Sequence, residues 1–138
     1  MILFDTDILS LSNVGNVRIR KRAAQEKDTI GITVITRIEV LLGRFDAILK
    51  AADGEQLQRA QARLIQSDRE LATLRIVPIN AAVGAEFDRL RVNKKLKVIG
   101  RRDLLIACIA LANQATLVTR NLKHLRLVPG LKVDNWAD

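Results

Sequence analysis

Met1-Ile-Leu-Phe-Asp5-Thr-Asp7-Ile-Leu-Ser10 places an aspartate directly after four apolar residues, with no turn between them. The apolar run predicts a short buried strand over Ile2–Phe4. Asp5 then lies at the C-terminal end of that strand, where open α/β sheets bind their ligands. A buried carboxylate is costly unless something pairs with it. Because no Lys or Arg precedes Arg18, we expect the partner to come from a distant segment or to be a metal ion.

Strand-like and helical segments alternate along the rest of the chain. Apolar runs predict further strands at 29–33, 76–79, 115–119 and 131–133. The strand at 76–79 contains a proline and is expected at an edge or to end there, and the strand at 131–133 is expected to be a last edge strand. Helical spacing predicts helices at 5–11, 14–27, 34–52, 55–74, 81–93 and 101–114, with one turn at 120–125 and a basic loop at 94–100. Thr6 or Asp7 is expected to cap the first helix and Asn80 the fifth.

This alternation favours a mainly parallel sheet with helices on both faces. The two long segments at 34–52 and 55–74 are separated by Asp53-Gly54 and are predicted to form a helical hairpin. The length of 138 residues predicts a single domain over residues 1–138. The 49% hydrophobic content argues against a disordered chain.

Cysteine usage and hydropathy bound the cellular setting. The single cysteine, Cys108, excludes an intramolecular disulfide and a cysteine-rich zinc site, which fits a reducing compartment. No apolar run is long enough to span a membrane, and the N-terminus has no signal-peptide pattern. We therefore expect a cytoplasmic protein without a membrane partner.

The charge balance points to an anionic partner. The net charge is +8 and the sequence pI is about 10.4. Such an excess suits nucleic acid, although an acidic protein partner or solubility alone explains it equally well. The four aromatic residues, Phe4, Phe45, Phe87 and Trp136, are too few for a surface that stacks base after base.

Carboxylates are the groups best placed for chemistry. The single histidine, His124, has no nucleophile-elbow serine to serve, and the chain lacks phosphate-binding glycine motifs. Asp5, Glu39 and Asp103 each stand among aliphatic residues. Helix capping explains Asp103 well and Asp5 in part, but it does not explain Glu39, which lies inside a predicted helix.

If these three carboxylates converge, they need protons or a cation. Two carboxylates about 4 Å apart repel by about 4 kcal/mol at an effective dielectric constant near 20. Oxygen ligands without His or Cys suit Mg²⁺ or Mn²⁺. On a basic protein, such a site predicts phosphodiester chemistry.

These residues, in this order, resemble the PIN-domain ribonucleases, especially the VapC-like toxins of bacterial toxin–antitoxin pairs. The resemblance covers the whole chain and rests on five motifs: Leu-Phe-Asp5-Thr-Asp-Ile-Leu, Ile-Thr-Val-Ile-Thr-Arg-Ile-Glu39-Val-Leu-Leu-Gly43, Ile-Gly-Arg-Arg-Asp103-Leu-Leu-Ile-Ala, Thr-Leu-Val-Thr119-Arg-Asn121 and Val-Pro-Gly-Leu-Lys-Val-Asp-Asn-Trp136. It implies a three-layer α/β/α sandwich with a short, mainly parallel sheet of four or five strands and a protruding helical hairpin.

The resemblance also implies a magnesium-dependent endoribonuclease, with Mn²⁺ able to substitute, that leaves 5′-phosphate and 3′-hydroxyl ends. Asp5 and Asp103 would be the primary metal ligands, and Glu39 would bind the metal or position its water. Hydrogen-bonding support for these ligands is expected from Thr6, Thr119 and Asn121. The expected contacts to RNA phosphates are Arg37, Arg44, Arg102 and Arg120.

Asn121 departs from the family pattern, because many members carry a fourth acid at that position. An asparagine brings no charge, so a second metal is in doubt while a single-metal site is not. The resemblance further implies a homodimer and a small antitoxin that covers the site. The groove beside the helices of residues 34–74 is the expected antitoxin surface.

Two alternatives remain at this point. The first is a PIN-like module that binds RNA or protein without cutting, which the loss of the fourth acid makes relevant. The second is a haloacid-dehalogenase-like phosphatase, whose first strand also ends in Asp-x-Asp and which would use Asp5 as its nucleophile. That alternative leaves Glu39 without a role and finds no adjacent acidic pair after Asp103.

Overall fold

Five short parallel strands form the sheet in the computed structural model, which describes residues 1–138. The strands are β1 (Ile2–Phe4), β2 (Ile30–Thr33), β3 (Arg75–Val77), β4 (Thr116–Val118) and β5 (Lys132–Asp134). Their order is β3-β2-β1-β4-β5, and every pairing is parallel. The first strand is therefore the central one, and the predicted edge positions of β3 and β5 are confirmed.

Seven helices connect these strands, and their positions agree with the predicted segments except near the ends. They are α1 (Thr6–Asn13), α2 (Val17–Gln25), α3 (Val34–Leu49), α4 (Gly54–Ala72), α5 (Ala81–Leu90), α6 (Arg101–Ala112) and α7 (Leu122–Leu125). Asn80 caps α5, as predicted. None of these helices has the length and hydropathy of a membrane span.

Three local predictions are wrong. The cap of α1 is Asp5, not Thr6 or Asp7, because the Asp5 carboxylate accepts the Ile8 N–H at 2.8 Å. The strand predicted at 76–79 is shifted to β3, since Pro78 has no N–H for the next ladder bond. The basic loop at 94–100 contains a 3₁₀ turn at Lys94–Leu96.

Helices cover both faces of the sheet, which confirms the three-layer sandwich. Side chains alternate along the strands, so neighbouring residues reach opposite faces. Leu3 and Leu117 lie in one core, together with buried residues of α5 and α6. Phe4 and Val118 lie in the other, together with residues of α1 and α2 and with Trp136. The two cores hold the central strands rigidly from both sides.

The hairpin of α3 and α4 projects from this sandwich, as predicted. No residue between Thr36 and Ser67 is buried. The outer surface of α3 carries a row of half-exposed apolar side chains that we call the α3 stripe: Ile38, Leu42, Phe45 and Leu49. Their helical spacing places them on one face of α3. Together they expose more contiguous apolar surface than the solvent-facing side of a helix normally does.

Candidate active site at the carboxyl edge of the sheet

The strand order reverses between β1 and β4, and this is where the polar residues gather. From β1 the chain proceeds through β2 and β3 on one side of the sheet, and then crosses to β4 and β5 on the other. In open parallel sheets the crevice at such a reversal, outside the carboxyl ends of the strands, is the usual ligand site. Asp5 follows β1 there and Thr119 follows β4, and the Asp5 N–H bonds the Val118 carbonyl at 3.1 Å.

The Asp5 carboxylate is buried without a cationic partner. Asp5 is 8% exposed, and its carboxylate accepts hydrogen bonds from the Ile8 N–H and the Thr119 hydroxyl. Burial raises the pKa of Asp5 above its ordinary value, the two hydrogen bonds oppose that rise, and the charges of Asp7 and Asp103 add to it. Of the two expected partners for Asp5, a basic residue from a distant segment is not found, and the metal ion stays a prediction. The buried carboxylate stands to gain from an added cation.

Glu39 projects from α3 and is held at both oxygens. Its Oε1 accepts the Thr6 hydroxyl at 2.8 Å, and its Oε2 accepts Nη1 of Arg102 at 3.2 Å. The Thr6 hydroxyl also lies 3.0 Å from that of Thr36, which is fully buried. Sequence reasoning missed Thr36, although its three-residue spacing from Glu39 places both on one helix face.

Asp103 lies in the first turn of α6 and turns its carboxylate to Asn121. Nδ2 of Asn121 donates to Oδ2 of Asp103 at 3.1 Å, and the Asn121 N–H donates to the Thr119 hydroxyl at 3.0 Å. The cap position of α6 is Gly100, which contributes no side-chain hydrogen bond. The positive end of the α6 dipole supports the Asp103 charge at this position.

These side chains line one pocket of about 440 Å³ that contains no hydrophobic residue. Its lining residues are Asp5, Thr6, Asp7, Glu39, Asp103, Arg120 and Asn121. The structure thus brings the three predicted carboxylates together, along with Thr6 and Asn121. Thr119 lies beneath the pocket as the buried support of Asp5. Asp7 was not predicted here, though the Asp-x-Asp spacing at the end of β1 was the signal available for it.

The pocket offers oxygen donors without histidine or cysteine, which is the donor set that Mg²⁺ prefers. No three acidic, histidine or cysteine side chains are close enough together to hold an ion directly. Mg²⁺ does not require such a cage, because proteins commonly bind it through one or two carboxylates while it keeps several waters. The residues present therefore fit a magnesium ion held by few protein ligands.

Of the four arginines expected at the site, two are there. Arg102 pairs with Glu39, and Arg120 lines the pocket with its Nε 3.6 Å from Oδ2 of Asp138. Arg44 instead donates to the Ser67 hydroxyl at 2.9 Å, inside the helical hairpin. Arg37 is exposed on α3 and makes no ion pair.

The sequence model of the PIN domain matches residues 2–129, so the chain belongs to the PIN domain family. Ribonuclease VapC2 of Rickettsia felis is 32% identical over 113 residues, which cover 80% of this chain and 77% of that protein. The crystal structure of VapBC2 from Rickettsia felis, bound to a DNA fragment from its promoter, matches with a TM-score of 0.75 and 30% identity over 99% of both chains. VapBC-1 from nontypeable Haemophilus influenzae matches with a TM-score of 0.77 and 26% identity over the full length of both.

These matches confirm the VapC-like resemblance and the fold it implies. They leave the haloacid-dehalogenase alternative without support, because the family match covers residues 2–129 and so includes every residue that lines the acidic pocket. The roles of the individual pocket residues are not addressed by the matches and stay predictions.

Asp5→Asn should stabilise the metal-free protein at neutral pH. The raised pKa means that the folded state binds a proton at Asp5 more tightly than the unfolded state does. The contribution of this group to the free energy of unfolding is therefore lost as the pH rises through its folded-state pKa. Asparagine keeps the cap on α1 without the charge, so we expect a gain in the free energy of unfolding at pH 7 that shrinks at acidic pH.

Urea unfolding with a chelator, from pH 3 to pH 8, measures this gain. Asp5→Ala is the matched control, since it removes the charge and the cap together and forfeits about 1 kcal/mol of capping. A gain for Asp5→Asn that is the same at every pH would show that the burial of charge is not its origin.

Proposed function

We propose that this protein is a metal-dependent endoribonuclease acting on cytoplasmic RNA, and the toxin of a type II toxin–antitoxin pair. The observation that carries the proposal is the convergence of Asp5, Glu39 and Asp103 in one oxygen-lined pocket of a chain with net charge +8. Membership of the PIN domain family and similarity to a protein named as a ribonuclease support it. Structural similarity to VapBC complexes supports the toxin–antitoxin assignment.

Asp5 and Asp103 are the residues proposed to hold the metal, with Mg²⁺ as the natural ion and Mn²⁺ as a substitute. Both line the pocket, and the charge of Asp103 raises the pKa of Asp5, so the two carboxylates share one electrostatic environment. When bound, the ion supplies positive charge that acidifies a water and stabilises the phosphorane-like transition state. The asparagine at 121 adds no charge, so we propose one tightly held ion.

Glu39 is placed to orient the attacking water and to accept its proton. Thr6 fixes one carboxylate oxygen of Glu39, and the other accepts the guanidinium of the exposed Arg102. The water attacks phosphorus in line with the 3′ oxygen, and that oxygen leaves with the bonding electron pair and takes up a proton. The products are a 5′-phosphate and a 3′-hydroxyl. Asn121 and Thr119 hold the metal ligands Asp103 and Asp5 in place.

Arg120 and Arg102 are the proposed contacts to the scissile phosphate, since both reach the pocket. Arg37 lies on α3 two residues before Glu39 and makes no ion pair. Its free guanidinium suits contact with a phosphate further along the RNA. Arg44 is engaged with Ser67 and drops out of the proposed RNA contacts.

Incubation of total RNA with the purified protein tests the activity. Wild type should cut in Mg²⁺ and stop in a chelator, and Asp5→Asn and Asp103→Asn should each lower the rate by at least a hundredfold because each removes a metal-holding charge. Mapping of the cut ends should find 5′-phosphates. Asp53→Asn is the matched control, as it removes an exposed carboxylate that only caps α4.

Cleavage by Asp5→Asn at the wild-type rate would overturn the site assignment. RNA binding without metal-dependent cleavage at any protein concentration would instead establish the alternative of a catalytically inactive PIN-like module. The two outcomes are separated by measuring RNA binding and cleavage on the same preparation.

Arg102→Gln should tighten Mn²⁺ binding about two- to five-fold, because it removes a cation that competes for Glu39 at a pair worth up to about 1 kcal/mol. Arg101→Gln is the matched control: it loses the same charge one residue away, where the guanidinium lies 5.0 Å from the centre of the Phe87 ring. Calorimetric titration of both variants with Mn²⁺ measures the difference. Equal Mn²⁺ affinities of the two variants would show that Arg102 does not compete with the metal for Glu39.

The antitoxin is proposed to dock in a groove of about 370 Å³ between α1, β2 and the α3–α4 hairpin. Half of its lining is hydrophobic, including Leu9, Val40 and Leu74, and Arg44 and Glu70 supply polar contacts at its rim. An amphipathic segment of a small partner suits a groove of this composition. The groove borders α1 and α3, which carry Thr6 and Glu39, so a bound segment can extend over the acidic pocket.

The α3 stripe is proposed to pair with a second copy of the chain. Its residues Ile38, Leu42 and Phe45 border a shallow, mostly apolar depression of about 420 Å³. The remaining lining residues are Leu41, Leu64 and Asp68. Phe45→Glu should convert a dimer to a monomer in sedimentation, because it buries a charge in that contact. Leu57→Glu, at a residue of similar exposure on α4, is the matched control. A wild-type chain that sediments as a monomer at high concentration would remove the stripe as a dimer contact.

A further inference from the structure

Residues 91–102, which we call the basic segment, carry six positive charges and no acidic residue: Arg91, Lys94, Lys95, Lys97, Arg101 and Arg102. Arg91 pairs with Asp88, and Arg102 pairs with Glu39. The three lysines are exposed and form no ion pair. Their charge is therefore not used within the chain and remains available to a partner.

The fold holds these lysines in fixed positions. The 3₁₀ turn at Lys94–Leu96 is closed by the Asn93 carboxamide, which accepts the Lys95 N–H at 3.0 Å. Leu96 and Ile99 anchor the segment in the core and are 3% and 6% exposed. Because the backbone is anchored on both sides of Lys97, binding here costs little backbone ordering.

Two valines stand among the lysines with most of their surface in water: Val92 is 67% exposed and Val98 is 59% exposed. Neither contributes to a core. Exposed apolar groups beside cations fit a partner that presents sugar and base surfaces next to phosphates.

The basic segment is continuous with the acidic pocket. Its Gly100 is the N-cap of α6, and the first turn of that helix carries Asp103. Arg102, its last residue, reaches Glu39 inside the pocket. A strand whose phosphate lies at the acids would therefore continue along the lysines.

We propose that Lys94, Lys95 and Lys97 form a docking surface for the phosphates of single-stranded RNA next to the bond that is cut, with Val92 and Val98 against its sugars. This inference rests on the proposed ribonuclease function and names the element that holds its substrate. The contacts are to the backbone, so they set affinity and register without selecting a sequence. The small number of aromatic residues in the chain agrees with binding by charge in place of stacking.

The test uses Lys94→Gln, Lys95→Gln and Lys97→Gln together, in the full chain carrying Asp5→Asn so that RNA is not consumed. Binding of a fluorescent, unstructured 20-nucleotide RNA is followed by anisotropy in a chelator between low and moderate salt. We expect affinity to fall at least tenfold and the salt dependence, the slope of log K against log salt, to lose about 2, from about 0.7 for each of three phosphates. An unchanged melting temperature shows that the fold is kept.

The matched control removes three exposed arginines of α4 by Arg59→Gln, Arg63→Gln and Arg69→Gln. It lowers the net charge by the same amount at a distance from the pocket lining. Equal losses of RNA affinity in the two triple variants would overturn the proposal, because only overall charge would then matter. Binding of polyglutamate as tight as that of RNA, and equally lost in the lysine variant, would also overturn it.

Kinetics of the active chain separate this proposal from the function on which it rests. The lysine variant should raise KM for RNA with kcat unchanged, and it should hydrolyse bis(4-nitrophenyl) phosphate, which fills only the pocket, at the wild-type rate. Cleavage by wild type with an unchanged KM in the variant would refute the docking surface alone. Failure of wild type to cleave RNA with any divalent metal would refute the ribonuclease function.

Discussion

The buried carboxylate of Asp5 is the constraint on which the rest of the site depends. It lies at the carboxyl ends of the neighbouring strands β1 and β4. Burial raises the pKa of Asp5, and the hydrogen-bond donors around the carboxylate stabilise its charged form. One donor is the Ile8 N–H, and this bond starts α1. The other is Thr119 at the end of β4, whose hydroxyl also receives the Asn121 N–H. Starting α1 at this point sets Thr6 beside Glu39, so one charged group organises elements from both halves of the chain.

Most of the fold and the identity of the three acids were predictable because they rest on local patterns. A strand that ends in an acid, and an acid inside an otherwise apolar helix, are visible without knowledge of distant contacts. Two of the errors have different origins. The Asp5 carboxylate caps its own helix through a local contact with a residue three positions away. The 3₁₀ turn depends on more distant residues, because Leu96 and Ile99 are buried in the core while the lysines around them are exposed.

Side-chain partners across the site were the least predictable part. Asp103 and Asn121 are 18 residues apart, and Glu39 and Arg102 are 63 apart, so no local pattern reports either contact. Arg44 shows the opposite failure, since proximity in sequence to Glu39 suggested a place at the pocket. Arg44 lies more than one helical turn beyond Glu39, and its guanidinium bonds the Ser67 hydroxyl on α4 instead of reaching the pocket.

Parallel pairing of the first strand also affects how the protein is made. Ile2 is paired with Thr116 in the finished sheet, so the centre of the sheet stays open until residue 116 has left the ribosome. Contacts between such distant segments form late and slowly. Because Thr119 and Asn121 follow that same strand, the acidic pocket is completed only after these residues have also left the ribosome. A nuclease built in this way has no assembled site until the segment that contains β4 and Asn121 has emerged from the ribosome.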